Sequence, residues 1–423
     1  MKLAQNTEIF LKFYFFFLVL TGLEFLALSV IDFNALGMSD KWRFTNSSYL
    51  TLTFYLLFAV FSCLFVVPYI WLVSNSRFKK TSYNQKAVHL TKGQTWTCFV
   101  VIVTYFVLAE FVVAGNYRLD SGAMNKLIMV PLYSISYSFL LLFALNLGRR
   151  VGPSVRWSKV CFYILLFLLL ISVTGAGGVI TCFGILYLAR LGPQKVNLLR
   201  IFSAFAVFVF SLVLFLVFFK YRLPVDQIFM DPLGLWSLMI GWVFERALVV
   251  SGSSVFLIEN YYLSRPLFGI NEILEITGNN LEKLMGGRPS SSDFASLGQY
   301  NYSLFYKGSN TDLHGVSPGV IGGSIFLGNW FVAPLIASMF VFLILLLVSL
   351  SWSNFLSGLS IVPLFVFYYC VVHFFLYNPY AYLSIFDPSL IRFLVFLSAP
   401  ILWDTLRRLT IKRKPKNGYR AKV

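Results

Sequence analysis

The sequence predicts an all-α polytopic membrane protein with about ten transmembrane helices and one large extracytoplasmic loop that contains short helices. The 423 residues are 58% hydrophobic and only 12% charged, and a soluble domain could not cover that much apolar surface. Several separate windows exceed the roughly 18 to 20 apolar residues that cross about 30 Å of hydrocarbon as a helix. The basic residues also cluster in alternate loops, as they do in a chain that crosses a membrane repeatedly.

Ten windows are long and apolar enough to be spans. They are residues 10–31, 49–73, 96–115, 128–147, 158–173, 176–190, 199–219, 322–350, 357–375 and 390–406. The first window has lysines before it, as a signal peptide does. However, Glu24 interrupts its apolar run and no Ala-x-Ala-like site precedes Asp32, so we expect a retained first span.

The loops between these windows sort by charge. Of the 34 lysines and arginines, 22 lie near the N-terminus, in the loops 77–92, 149–159 and 190–200, and in the tail after residue 406. Ten spans with both termini in the cytoplasm put every one of these basic segments inside. The net charge of +17 is therefore read as a topology signal, with anionic membrane lipids rather than nucleic acid as the partner.

The segment from Pro232 to Ile258 is apolar enough to be an additional span, which would raise the count to eleven or twelve. A single added crossing would put the basic tail outside. Glu245 and Arg246 near its centre would also cost about 2.5–3.5 kcal/mol each if exposed to lipid. We therefore expect a helix that lies at the outer membrane face or dips in beside the bundle.

These considerations divide the chain into four parts. Residues 1–219 hold transmembrane helices one to seven, and residues 220–318 form the extracytoplasmic loop with interfacial helices. Residues 319–406 hold helices eight to ten, and residues 407–423 are a basic cytoplasmic tail. The apolar stretch from Gly319 to Leu350 is too long for one straight span, so its first turns are expected to be re-entrant or tilted.

The motifs of soluble enzymes are absent from the sequence. It contains no phosphate-binding GxxxxGK[ST] loop, no CxxC, no HExxH and no Asp-x-Asp, so we expect no metal and no cofactor. The five cysteines fall in or beside apolar spans and are expected to be buried packing residues. Glu24 and Glu110, in the outer halves of their spans, are expected to reach toward the outer surface.

The candidate functional residues concentrate in the extracytoplasmic segment. Four arginines there suit phosphate, because a guanidinium donates bidentate hydrogen bonds and stays charged. They are Arg222, Arg246, Arg265 and Arg288, accompanied by Glu245, Asp312 and Ser317. His314 stands in a polar, glycine-rich turn where a neutral imidazole can take a proton from a hydroxyl. The alternatives are ion pairs or headgroup contacts for the arginines, and an ordinary loop residue for His314.

Two further groups allow two interpretations each. The glycines at 315, 319, 322, 323 and 328 permit close approach either to a bulky ligand or to another helix. The tyrosines at 261, 262, 300, 302 and 306 supply either stacking faces for sugars or anchors at the membrane interface.

The chain resembles the bacterial O-antigen or oligosaccharide repeat-unit polymerases of the Wzy type and the related O-antigen ligases. The resemblance covers the architecture of most of the chain. Locally it rests on Arg246, on Pro-Leu-Phe-Gly at 266–269, and on His-Gly-Val-Ser-Pro-Gly-Val-Ile-Gly-Gly at 314–323. It also includes the hairpin at 172–178, which departs from relatives because Ala176 stands where they often have arginine.

The resemblance implies a metal-independent glycosyltransferase of the bacterial inner membrane. The enzyme would transfer a growing glycan from undecaprenyl diphosphate to the next lipid-linked repeat unit, with a chain-length regulator protein as a partner. Arg246 would stabilise the diphosphate leaving group and His314 would deprotonate the acceptor hydroxyl. Arg222, Arg265, Arg288, Glu245, Asp312 and Ser317 would bind substrate. The alternatives are a ligase that moves finished glycan to another acceptor, and a flippase or other transporter of lipid-linked oligosaccharide.

Overall fold

The computed structural model describes residues 2–31, 42–75, 92–108, 123–148, 155–172, 176–190, 234, 248–261, 274–275, 277–279, 281–282, 297–307, 316–356, 359, 361–371 and 388–410. Their regular secondary structure is helical, apart from one isolated antiparallel bridge between Trp42 and Tyr306. The predicted all-α class is therefore confirmed for the described part of the chain.

The described helices are numbered here in chain order. They are α1 (Lys2–Val30), α2 (Tyr49–Asn75), α3 (Lys92–Val107), α4 (Ala123–Gly148), α5 (Val155–Ser172), α6 (Ala176–Arg190), α7 (Leu248–Glu259), α8 (Leu297–Phe305), α9 (Gly319–Gly323), α10 (Ala333–Leu356), α11 (Ile361–Val371) and α12 (Pro388–Thr410). A 3-10 turn, Ser324–Phe326, follows α9. Both α7 and α8 belong to the segment 220–318, for which the sequence predicts short helices.

Four of these helices contain segments long and apolar enough to cross a membrane. The segments are Thr7–Val30, Tyr49–Val73, Val130–Leu147 and Ala333–Leu356. Large apolar side chains are exposed along α2, among them Leu56, Leu64 and Val67, where a water-soluble protein would carry charge. The structure therefore supports a helical membrane protein, and the count of ten spans stays a prediction.

The bundle has α4 and α10 at its centre. The helix α4 packs on α3, α5, α6 and α12, whereas α10 packs on α1, α2 and α12. Of the apolar window in α4, 83% is buried, against 11% of the window in α2. Aromatic rings fill much of the space between α1, α2 and α10, as where Phe10 meets the rings of both Tyr69 and Phe342.

Two ring contacts give the direction of α2 relative to α10. Phe54 meets Trp330, which lies just before α10, with 5.6 Å between the ring centroids. Eleven residues further along α2, Phe65 meets Phe342 at 5.7 Å. The two helices therefore run in the same direction.

Two contacts likewise give the direction of α4 relative to α12. Arg392, near the start of α12, lies over the ring of Tyr133 on α4. Further along both helices, Trp403 meets Phe139 at 5.6 Å. These helices also run parallel to each other.

The start of the predicted span 322–350 is wrong, because the long helix begins at Ala333. The chain forms the short helix α9 and a 3-10 turn before it, and the expectation that these first turns are re-entrant or tilted in the membrane stays a prediction. Asn329 begins the new helix, because its side-chain oxygen accepts hydrogen bonds from the backbone N–H groups of Phe331 at 3.2 Å and Val332 at 2.9 Å.

The expectation that the cysteines are buried holds for Cys161, Cys182 and Cys370 and is wrong for Cys63, which is exposed. Cys63 faces away from the bundle on α2, where an apolar thiol suits a lipid environment as well as a core does.

Candidate functional site

Of the predicted site residues, only Ser317 falls within the part of the chain that the structure describes. The others lie outside the described residues: Arg222, Glu245, Arg246, Arg265, Arg288, Asp312 and His314. The site is therefore described through the elements that these residues adjoin in sequence, above all α7 and the segment 316–323.

Ser317 has a local structural role. Its hydroxyl oxygen accepts a hydrogen bond from the backbone N–H of Gly319 at 3.3 Å, which forms a tight turn into α9. Ser317 as a whole is only partly buried.

The helices α7 and α9 pack against each other with almost no space between their backbones. A Cβ atom on Gly322 would lie 2.5 Å from the Cα of Ser254, closer than packed atoms approach. Gly319 has a φ of +67°, a conformation that favours glycine, and its Cβ position lies 3.2 Å from Val250. At Gly319 and Gly322 the glycines therefore serve close helix packing.

Ser254 reinforces this contact. Its hydroxyl donates to the carbonyl of Pro318 at 2.5 Å, which joins the middle of α7 to the turn before α9. This bond spans 64 residues of sequence and holds the turn before α9 against α7.

Asn301 joins three elements. This side chain on α8 is fully buried, and its amide nitrogen donates to the hydroxyl of Ser253 at 2.7 Å and to the carbonyl of Val316 at 2.8 Å. The N–H of Val316 also donates to the carbonyl of Gly298 at 2.9 Å. Both backbone groups of Val316 are therefore fixed, two residues after His314 in the sequence.

The other side of α7 faces α1. Ser251 donates a hydrogen bond to the Glu24 carboxylate with 2.6 Å between the oxygens. The expectation that Glu24 reaches toward the outer surface is therefore wrong. An interior hydroxyl gives the carboxylate a partner that the sequence alone does not reveal.

The C-terminal end of α7 is held by α2. The Glu259 carboxylate accepts hydrogen bonds from the backbone N–H groups of Ser48 at 2.9 Å and Thr51 at 3.2 Å, and from both hydroxyls. This is a cap on the first turn of α2, where a negative charge also complements the helix dipole.

These contacts test one predicted position of the 248–258 part of the ambiguous segment, a helix that lies at the outer membrane face. A helix lying flat on a membrane face exposes one side, whereas ten of the twelve residues of α7 are buried. Ser251 contacts Glu24 of α1, and Glu259 contacts the start of α2. The helix α7 therefore inserts among α1, α8 and α9. This part of the chain therefore packs inside the bundle, which excludes a helix lying flat on the membrane face.

Three of the predicted loop tyrosines pack against other aromatic rings. Tyr302 stacks on Tyr306 at 4.7 Å, and both contact Trp42. Tyr300 meets Phe326 at 5.5 Å. Burial raises the pKa of the Tyr300 and Tyr302 phenols, and Tyr306 adds to the rise at Tyr302, so both stay neutral at physiological pH. Of the same group, Tyr261 is exposed and Tyr262 lies outside the described residues.

Within the described ranges no cluster of three or more metal-ligating side chains occurs. Comparison with protein-family models, curated proteins and solved structures found no match to this chain.

Proposed function

We propose that the chain is a polymerase of lipid-linked oligosaccharide repeat units. The observation that carries the proposal is the contact of Val250 and Ser254 on α7 with Pro318 and Gly319. In the sequence, Arg246 stands four residues before Val250, and His314 stands five residues before Gly319. The two segments that lead out of this contact thus carry the proposed phosphate-binding cation and the proposed base.

The proposed reaction is a glycosyl transfer without a metal. An acceptor hydroxyl at the non-reducing end of one lipid-linked unit attacks the anomeric carbon of the glycan on another carrier. The bond from that carbon to the diphosphate oxygen breaks, and undecaprenyl diphosphate leaves with the electron pair. His314 takes the hydroxyl proton, and Arg246 balances the charge that develops on the diphosphate.

The packing contributes rigidity to this arrangement. Val316 is fixed through both its backbone groups. The helix α7 is held to α1 through Glu24 and to the start of α2 through its own Glu259. Catalytic groups must be held within fractions of an ångström, and supporting hydrogen bonds provide that precision.

We also propose ten spans in a bacterial inner membrane, with both termini in the cytoplasm. The basic loops support this topology. The parallel direction of α2 and α10 supports it too, because an odd number of crossings must then lie between these helices. One additional crossing at 232–258 would reverse α10 relative to α2.

The test is to replace Arg246 and His314 with Ala and to separate the surface polysaccharide on a gel. We expect the long-chain ladder to collapse to single repeat units while the membrane protein is present at its normal level. Matched controls are Arg190→Ala, at the end of α6, and His89→Ala, in a predicted cytoplasmic loop. A normal ladder in both Arg246→Ala and His314→Ala would remove these residues from the mechanism.

The same gel separates a polymerase from a ligase. Loss of a polymerase leaves single repeat units attached to the final acceptor, whereas loss of a ligase leaves none. A deletion strain that carries no repeat unit at all on the acceptor would therefore favour the ligase.

A transporter is a second candidate, and α4 is the observation in its favour. Ser134, Ser136, Ser138 and Asn146 are buried in this central span, and polar side chains inside a bundle are typical of a transport path. Three of them bond a carbonyl one turn earlier in α4 itself. Purified protein that polymerises lipid-linked units already presented on its outer face would exclude transport as the sole activity.

A further inference from the structure

Arg392 is a cation on α12 that is partly buried in the helix bundle and has no acidic partner among the described residues. It is the fifth residue of α12 and shares a face with Phe396 and Trp403, both of which are buried. Its guanidinium carbon lies 5.7 Å from the centroid of the Tyr133 ring on α4. Among the described residues the ion pair present joins Lys12 to Glu8 on α1, so no described carboxylate neutralises Arg392.

One hydrogen-bond donor of Arg392, its buried Nε–H, also has no partner among the described residues. Burying a charged donor without a partner is costly, and a cation–π contact offsets only part of that cost. A partner of negative charge is therefore expected at this place.

A second unpartnered group lies on the same side of α4. Ser136 is fully buried, and its hydroxyl has no hydrogen-bond partner. It stands three residues after Tyr133, which puts the two side chains on one face of the helix. The interface between α4 and α12 thus carries a guanidinium Nε–H and a hydroxyl that have no partner in the described part of the chain.

The depth of Arg392 points to the kind of anion. At about 1.5 Å per residue, Arg392 lies roughly 6 Å from the first residue of a 23-residue helix. The ends of a membrane-spanning helix lie at the level of the lipid headgroups, where phosphate is the abundant anion. The side chain is partly exposed, so a headgroup can reach it, and its surroundings are apolar.

We propose that Arg392 and Tyr133 form a binding site for the phosphate group of a membrane lipid between α4 and α12. The guanidinium donates to the phosphate oxygens in the paired geometry that arginine favours, and the Tyr133 ring holds the guanidinium plane from the other side. The proposal does not depend on the glycosyl transfer proposed above.

The test is native mass spectrometry of the full chain with phosphatidylglycerol as the probe. We expect Arg392→Gln to weaken binding of the first lipid about tenfold, because charge-assisted hydrogen bonds are lost. Arg392→Lys keeps the charge but not the paired donors, so we expect an intermediate loss. Arg190→Gln on α6 is the matched control and should bind as the wild type does. Equal binding by wild type and Arg392→Gln would overturn the proposal.

Three further arms identify the ligand. Galactosyl diacylglycerol has acyl tails and no phosphate, so its binding should be the same in all variants. Comparing undecaprenyl phosphate with phosphatidylglycerol shows whether the site prefers a polyprenyl phosphate or a phospholipid headgroup. Binding of either lipid that is tighter in the wild type than in Arg392→Gln supports the site. Inorganic phosphate that occupies the site as well as the lipids do would overturn the assignment to a lipid. If Arg392→Gln does not fold, Arg392→Lys and Tyr133→Leu decide, and wild-type affinity in both would contradict the proposal.

Discussion

The Glu24 carboxylate of α1 and the Ser251 hydroxyl of α7 are joined by a hydrogen bond of 2.6 Å. The bond crosses 227 residues of sequence and ties α7 to the first helix of the bundle. A carboxylate inside a bundle needs such a partner, since an unsatisfied one is expensive to bury. This single contact therefore both explains the position of Glu24 and helps to fix α7.

Replacing Glu24 with Ala should loosen α7. Ser251 is buried and loses its acceptor, at a cost of about 1–3 kcal/mol. Glu24→Gln keeps an acceptor oxygen, so we expect a loss below about 1 kcal/mol. The measurement is the thermal unfolding of the purified protein in detergent, followed by tryptophan fluorescence. Equal and large losses in Glu24→Ala and Glu24→Gln would mean that the charge, rather than the acceptor, matters.

Replacing Glu259 with Ala should weaken the start of α2. The carboxylate caps the N–H groups of Ser48 and Thr51, and loss of a helix cap costs about 0.5–2 kcal/mol. The matched control is Glu8→Ala, because Glu8 is largely exposed and pairs with Lys12 one turn away, an interaction of little value. Hydrogen exchange should show faster opening of the first turn of α2 in Glu259→Ala only. Unchanged exchange there would show that water replaces the cap without cost.

Two glycine substitutions should have opposite effects. Gly322→Ala places a Cβ 2.5 Å from the Cα of Ser254, so α7 and α9 must separate at a cost of about 1–3 kcal/mol or more. Gly278 is also helical, but nothing lies within 4 Å of its Cβ position. Gly278→Ala should therefore be neutral or stabilise by up to about 1 kcal/mol.

The measurement for this pair is the midpoint of thermal unfolding together with the length of the surface polysaccharide ladder. The proposed function adds the expectation that Gly322→Ala shortens the ladder while Gly278→Ala leaves it unchanged. A Gly322→Ala protein as stable as the wild type would show that the two helices can part freely at this contact.

Helices with long, uninterrupted apolar windows could be predicted from the sequence. The prediction 49–73 corresponds to Tyr49–Asn75, and 176–190 to Ala176–Arg190. Composition determines such helices almost alone, since a span must satisfy its backbone internally. The predicted start of α10 was wrong because Asn329 caps the start of this helix, and a cap within a continuous apolar run is a weak signal.

The interior position of α7 could not be derived from the sequence. Hydropathy is the same for a helix at the membrane face and for one inside the bundle, and the partners of Ser251 and Glu259 lie more than 200 residues away. Long-range pairings of this kind leave no local pattern. The glycines were a usable signal, because Gly319 and Gly322 share one helix face, but the sequence alone does not name Ser254 as the contact.

The buried Asn301 amide gives the most demanding prediction. Asn301→Ala removes both donors, which leaves the Val316 carbonyl and the Ser253 hydroxyl without this partner, at a cost of about 1–3 kcal/mol. Asn301→Asp has nearly the same shape but replaces the donating nitrogen with an oxygen, so two acceptors face each other, and we expect a larger loss. The matched control is Asn46→Ala, because the Asn46 amide makes an exposed 3.4 Å bond to Ile31 and should contribute less than about 0.5 kcal/mol.

Thermal unfolding measures the stability of the Asn301 variants. The proposed function adds a shortened ladder in both Asn301 variants, since the segment after His314 is anchored by this amide. If Asn301→Asp is as stable as the wild type, then the side chain only fills space and its donors do not hold Val316.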